Sequence, residues 1–211
     1  MPTYHLQARV DHLYMKIRDK NTSNQDFRRY GMRLMQVICE EALSYTTCAS
    51  EQQIDTPVAG YPVTGTVVDQ SNIVAVSIIR AADSMLDSFM HVVPEASIGK
   101  ILIQRDEATA QPKLYYEKLP PLEGKQIMLL DPMLATGGSA ACAIDILLQK
   151  GVPQSHIMFV NVLGCPEGMK NLEDSYPDIT IFTGKVDGGL TDQKYIWPGL
   201  GDYGDRFFGT V

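Results

Sequence analysis

The chain has no long apolar run. Its longest nearly apolar stretch, Ile73 to Ile79, is interrupted by Ser77, whereas a membrane-spanning helix needs about 20 apolar residues. No membrane partner is expected. The N-terminus lacks the apolar core of a secretory leader, so the Asn21-Thr22-Ser23 sequon carries no weight. Cysteine is scarce. Cys39, Cys48, Cys142 and Cys165 include no pair at metal-ligand spacing, and four free thiols fit a cytoplasmic location. The four histidines form no HExxH or HxH pattern, so neither a directly ligated metal nor a Cys/His nucleophile pair is expected. Basic charge is in deficit: 18 Lys/Arg stand against 25 Asp/Glu, a net −7. A nucleic-acid binder needs a basic field to displace counterions, so no nucleic-acid partner is expected. Residues 1–33 are locally basic, with seven Lys/Arg and three Asp/Glu. The interspersed acids make this a solvated helix face rather than a basic arm.

What is present is globular: 45% apolar and 20% charged residues, with 17 Gly and 12 Pro. The pattern predicts a helix over about 24–45, capped by Ser23 with Asp26 three residues on, and turns and short strands over 51–66. Apolar runs predict strands at 73–79, 100–104, 126–130, 157–163 and 179–183. Helices are predicted at 83–91, 139–150 and 167–176, and residues 105–121 read as an extended arm. Strands alternating with helices predict an α/β fold whose mostly parallel twisted sheet is flanked by helices. No repeat or linker divides the chain, which reads as one domain, 1–211, with an N-terminal helical segment of about 1–50.

Two nucleotide motifs are decoys. Gly199-Leu-Gly201-Asp-Tyr-Gly204 matches G-x-G-x-x-G, but too little chain follows for the rest of a dinucleotide fold. Gly124-Lys125 and Gly99-Lys100 lack the remainder of a P-loop. The informative segment is Leu129 to Ser139, LLDPMLATGGS. An apolar strand ends in Asp131, and a loop carrying Thr136, Gly137, Gly138 and Ser139 then starts a helix. Two glycines let backbone N–H groups approach an anion, and the helix N-terminus adds donors and partial positive charge. This is a monophosphate cradle, and Asp131 is placed to accept hydrogen bonds from ribose hydroxyls.

Asp131 to Ser139, DPMLATGGS, resembles the phosphoribosyl-pyrophosphate loop of the uracil phosphoribosyltransferases. The resemblance continues in VSIIRA (76–81), GKILIQRDEAT (99–109), PKLYYEKLP (112–120) and YIWPGLGDYGDRFFGT (195–210), and looks closer to the eukaryotic members. It implies a type I phosphoribosyltransferase fold with a small hood or β-arm from about 105–118 and 184–198. The implied reaction transfers the 5-phosphoribosyl group from phosphoribosyl pyrophosphate to N1 of uracil, giving UMP and pyrophosphate. The resemblance places the donor on Arg80, Arg105, Asp131, Pro132, Met133, Leu134, Ala135, Thr136, Gly137, Gly138, Ser139 and Asp202. Asp131, Arg105 and Asp202 carry the chemistry. Uracil falls to Tyr195, Ile196, Gly201, Asp202 and Tyr203. Magnesium is implied with the pyrophosphate rather than as a protein-caged ion, GTP as a possible effector, and a homodimer or larger assembly.

The chain departs from the family pattern at Ala82, where Gly is usual; a strained backbone there, weakening donor binding, is the expectation. Leu130 stands where purine-specific relatives carry a second acid. The rival readings are a phosphoribosyltransferase for another base, and a non-catalytic nucleotide-sensing or RNA-binding regulator of the same fold.

Overall fold

The computed structural model describes residues 2–105 and 112–210, and of Arg105 and Pro112 the backbone alone. From the N-terminus, β1 (Thr3–His5) and α1 (Asp11–Arg18) precede α2 (Asn24–Leu43). Ser23 caps α2, its hydroxyl accepting from the Asp26 N–H at 3.1 Å. β2 (Ala49–Ile54) and β3 (Val63–Val68) form a separate hairpin. β4 (Ile73–Ile79) turns at Arg80–Ala82 into α3 (Asp83–Val92). β5 (Ser97–Arg105) and β6 (Pro112–Lys118) follow, then β7 (Gln126–Leu130), a short β8 (Met133–Leu134) and α4 (Gly138–Gln149). β9 (Ile157–Gly164) leads to α5 (Pro166–Ser175), which opens on the proline that fits a first helical turn. The chain ends with β10 (Thr180–Val186), the hairpin β11 (Gly189–Leu190) and β12 (Ile196–Trp197), and α6 (Tyr203–Phe208).

The main sheet runs β1-β10-β9-β7-β4-β5-β6, with β8 also beside β9. All its pairings are parallel except β5 with β6. Every residue of β7 and β9 is buried, as central parallel strands covered on both faces must be. One helical group, α2 with α1, α3 and α6 packed on it, covers β9 and β10; the other, α4 with α5, covers β4, β5 and β6. From β4 the chain first steps outward to β5 and then back across β4 to β7. The winding therefore reverses between β4 and β7, and open α/β sheets bind ligands beyond the carboxyl ends of the strands at such a reversal.

Three segments differ from expectation. Residues 112–118 are the antiparallel edge strand of the main sheet, because Leu102 and Lys100 find partners in Tyr116 and Lys118. Residues 106–111 of the expected arm lie outside the described residues. The N-terminal segment is not wholly helical, since β1 extends the opposite sheet edge by pairing Thr3 with Ile181. Ala82 is unstrained. It is fully buried at φ −71° and ψ −14°, ordinary right-handed space just before α3, so the expected backbone strain is overturned.

Candidate active site

Five loops leave the carboxyl ends of parallel strands on one rim. Arg80 follows β4, Asp131 follows β7, Cys165 follows β9, Asp187 follows β10, and Arg105 ends β5. A cavity of about 250 Å³ opens at the reversal between β4 and β7, lined by Ala81, Asp131, Met133, Ala135, Lys194, Tyr195, Ile196, Gly201, Asp202, Tyr203 and Gly204. Residues as far apart in sequence as Ala81 and Gly204 thus share one cavity. A larger groove of about 800 Å³ lies among residues 119–124 and 150–156. It sits before β7 and β9, at the amino ends of the strands, and holds none of the expected site residues.

The Asp131 N–H donates to Val160 O at 3.2 Å, and Oδ1 accepts from the Met133 N–H at 3.3 Å. Burial pushes the Asp131 carboxyl up to about 7; the Met133 bond pulls it down, and the Asp202 charge adds to the rise. Pro132 O accepts from the N–H groups of Val162 and Leu163, both at 3.0 Å, which fastens the loop to β9. Gly137 holds φ 83° and turns the chain into α4. Gly137, the cap residue of α4, brings no side chain; the Gly138 N–H reaches Thr136 Oγ1 at 3.4 Å, and the next first-turn N–H groups are the anion donors. Leu134 and Ala135 lie deeper, where the backbone carbonyls are held from α5. Leu134 O accepts from the Cys165 N–H at 3.1 Å, Ala135 O from the Cys165 thiol at 3.1 Å, and Thr136 O from Asn171 Nδ2 at 2.9 Å. A Cβ on Gly168 would stand 2.4 Å from Ala135 O. Gly168 and Asn171 therefore shape the loop, although no motif in the sequence marks them.

The second wall is the segment from Tyr195 to Asp202. Ile196 sits in β12 opposite Leu190, while Tyr195 is half exposed. The Gly201 N–H and C=O have no hydrogen-bond partner among the described residues. Gly199 has φ 61°, and a Cβ there would meet Ile196 O at 2.0 Å, so only glycine closes this turn. Arg18 and Asp187 clamp it. The Arg18 guanidinium grips both Asp187 oxygens at 2.7 Å and donates to Gly199 O at 2.7 Å, while Asp187 Oδ2 accepts from the Gly199 N–H at 2.9 Å. Burial works to raise the Asp187 carboxyl, but the Arg18 fork and the Gly199 amide outweigh it and hold it below the ordinary carboxylate range. Arg206 fixes the next residue, donating to Leu200 O and Asp19 O at 2.7 Å each while lying over the Phe27 ring.

Some expected residues take other surroundings. Tyr203 is fully buried, its ring against Phe27 and its hydroxyl against Gly31, so the ring belongs to the interior. Asp202 caps α6, accepting from the Asp205 N–H at 2.8 Å. Arg80 is paired with Asp205, and its Nη1 donates to Thr210 Oγ1 at 3.0 Å. The Arg105 side chain lies outside the described residues. No cluster of three or more His, Cys, Asp or Glu suited to a metal occurs among the described residues, and none of their helices is long and apolar enough to cross a membrane.

The chain is 45% identical over 199 residues to the uracil phosphoribosyltransferase of Dictyostelium discoideum, covering 94% of this chain and 91% of that protein. It is 43% identical over 197 residues to the uracil phosphoribosyltransferase of Saccharomyces cerevisiae, covering 93% and 90%. The AQ2163 protein of Aquifex aeolicus has a solved structure with a TM-score of 0.79 at 31% identity, covering 98% and 99% of the two chains. The family model described as uracil phosphoribosyltransferase matches residues 5–210, and the chain belongs to that family.

Proposed function

We propose that the chain transfers the 5-phosphoribosyl group of phosphoribosyl pyrophosphate to N1 of uracil. The observation that carries this is the joining, in one cavity, of Asp131 beside an uncapped helix N-terminus and the clamped 195–202 turn. The 5-phosphate rests on the N–H groups and hydroxyls of Ala135 to Ser139, and Asp131 accepts from the ribose hydroxyls. Its ionised form also steadies the positive charge that gathers on the sugar as the pyrophosphate bond breaks. Arg80 is half exposed beside this rim and, exchanging Asp205 for the leaving group, takes the pyrophosphate side with Arg105.

Uracil offers a carbonyl, an N–H and a second carbonyl along one edge. The Gly201 peptide groups, unpartnered among the described residues, and the Ile196 backbone read that edge, with Tyr195 flanking the ring. The chemistry is displacement with both reactants held in line, and the gain comes from positioning and electrostatics. The donor set fits magnesium only as an ion carried in by the pyrophosphate. Asp202, exposed at the cavity rim, would hold it through water, and the ion would offset charge on the leaving group. A cytoplasmic location fits four free thiols. A homodimer or larger assembly fits the β2–β3 hairpin, which leaves Ile54, Val58, Tyr61, Val63 and Val67 exposed. A GTP effector remains part of the family resemblance. The test is incubation with phosphoribosyl pyrophosphate, magnesium and each nucleobase in turn. UMP should form with uracil, and failure to form any monophosphate overturns the assignment.

A further inference from the structure

Lys194 is the one non-glycine residue at positive φ, 66°, among the described residues. The reason is local. β11 and β12 pair Leu190 with Ile196, and the Thr191 N–H donates to Tyr195 O at 2.8 Å. Only Asp192, Gln193 and Lys194 remain to close the hairpin, and the Lys194 N–H returns to Thr191 O at 2.8 Å. A three-residue connection of this kind ends in a left-handed residue, where glycine is the unstrained choice. A lysine there costs stability.

The strained residue lies at the site. Lys194 lines the cavity that holds Asp131, Ala135 and Asp202. It also lines an adjoining cavity of about 430 Å³ that holds Thr136 and Asn171. It therefore spans the seam above Ala135 and Thr136. Its side chain is exposed, and its ammonium forms no ion pair among the described residues, although the Glu167 carboxylate on the second cavity feels its charge. Lys170, on the same second cavity, is already held by Asp174 at 2.9 Å. The cradle itself, residues 131–139, contains no cationic side chain, whereas a phosphate monoester carries close to two negative charges near neutral pH.

We propose that Lys194 is a binding residue for the 5-phosphate, its ammonium closing from the β11–β12 hairpin over the Ala135–Ser139 loop. The inference rests on the phosphoribosyl-transfer reading and adds a cationic side chain to a cradle that has none of its own. The ligand class is a ribose 5-phosphate, shared by the donor and the product nucleotide.

The test is calorimetric binding of UMP, uridine and magnesium pyrophosphate to the wild type and to Lys194→Gln, Lys194→Arg and Lys194→Gly. Loss of one charge-assisted contact should weaken UMP binding about tenfold in Lys194→Gln and Lys194→Gly. Uridine and pyrophosphate should change less than twofold, and Lys194→Arg should keep most of the UMP affinity. Lys194→Gly should also melt above the wild type while binding UMP worse, an opposition that a purely structural lysine does not give. UMP affinity that survives Lys194→Gln, an equal loss for uridine, or a loss confined to pyrophosphate overturns the role of Lys194. A wild type that does not prefer UMP over uridine overturns instead the phosphate cradle on which the inference rests.

Discussion

Asp131 is asked to be charged in a place that resists charge. Burial raises its carboxyl to about 7, with Asp202 adding to the rise. The role proposed for Asp131 needs the ionised form, so kcat/KM for phosphoribosyl pyrophosphate should fall with decreasing pH below about 7, approaching tenfold per unit. A flat profile from pH 8 to 5 argues against that role. The stability consequence has the opposite sense. The folded value lies above the ordinary carboxylate value, so the fold binds the extra proton between about 4 and 7 and loses stability as pH rises through that window. Asp131→Asn should therefore melt higher than wild type at pH 8, the gap closing toward pH 4, while kcat falls by at least ~10². A variant within threefold of wild-type kcat makes Asp131 structural only. Ala82 illustrates the converse. Its φ of −71° removes any reason for glycine, so Ala82→Gly should lose ~1 kcal/mol from added chain freedom and a lost buried methyl. Denaturant titration measures that loss; a lower donor KM in the variant contradicts an unstrained Ala82.

Each wall of the cavity is an irregular segment held by a regular element behind it. α5 comes so close to the phosphate loop that Gly168→Ala must push Ala135 O, 2.4 Å from the new Cβ, or move the helix. Donor KM should rise at least ~10-fold, since displacements of about an ångström are felt strongly in catalysis, with uracil KM little changed; initial rates with each substrate varied separate the two. The 195–202 turn, proposed to read the base, is held from α1 by the Arg18–Asp187 fork. Arg18→Lys keeps the charge but loses the fork, so uracil KM should rise about tenfold while donor KM stays within twofold. Equal changes in both constants would make the clamp a general stabiliser. The turn from Asp131 into α4, the proposed cradle, is legible in the sequence because its elements are contiguous: strand, acid, glycines, helix. The clamp is not, because Arg18 and Asp187 meet across 169 residues of chain and carry no local pattern. β6 reads as an arm, and the β2–β3 hairpin only as turns and short strands, because edge and exposed strands lack the apolar runs that betray β4, β7 and β9.

At the scale of the whole molecule, the proposed base choice depends on parts that no single segment contains. The winding reversal between β4 and β7 sets Asp131 opposite the C-terminal turn. α1 supplies Arg18 and the backbone of Asp19, and α6 supplies Arg206, to hold the peptide groups at Gly199 to Gly201. Because these supports approach the turn from separate elements, its peptide groups cannot swing to suit another base without breaking a bond already made. Cytosine replaces a carbonyl acceptor by an amine donor and the ring N–H by an acceptor, leaving two groups mispaired at about 1–3 kcal/mol each. A held turn should convert that into at least ~100-fold preference for UMP over CMP formation, as each 1.4 kcal/mol is tenfold. Competition of the two bases for a limiting donor, with the monophosphates separated by chromatography, measures the ratio directly. In Arg18→Lys the loosened turn should lower the ratio, because peptide groups free to rotate can answer either edge. Comparable rates with cytosine in the wild type, or any preference for a purine, would mean that the 195–202 turn does not read the base.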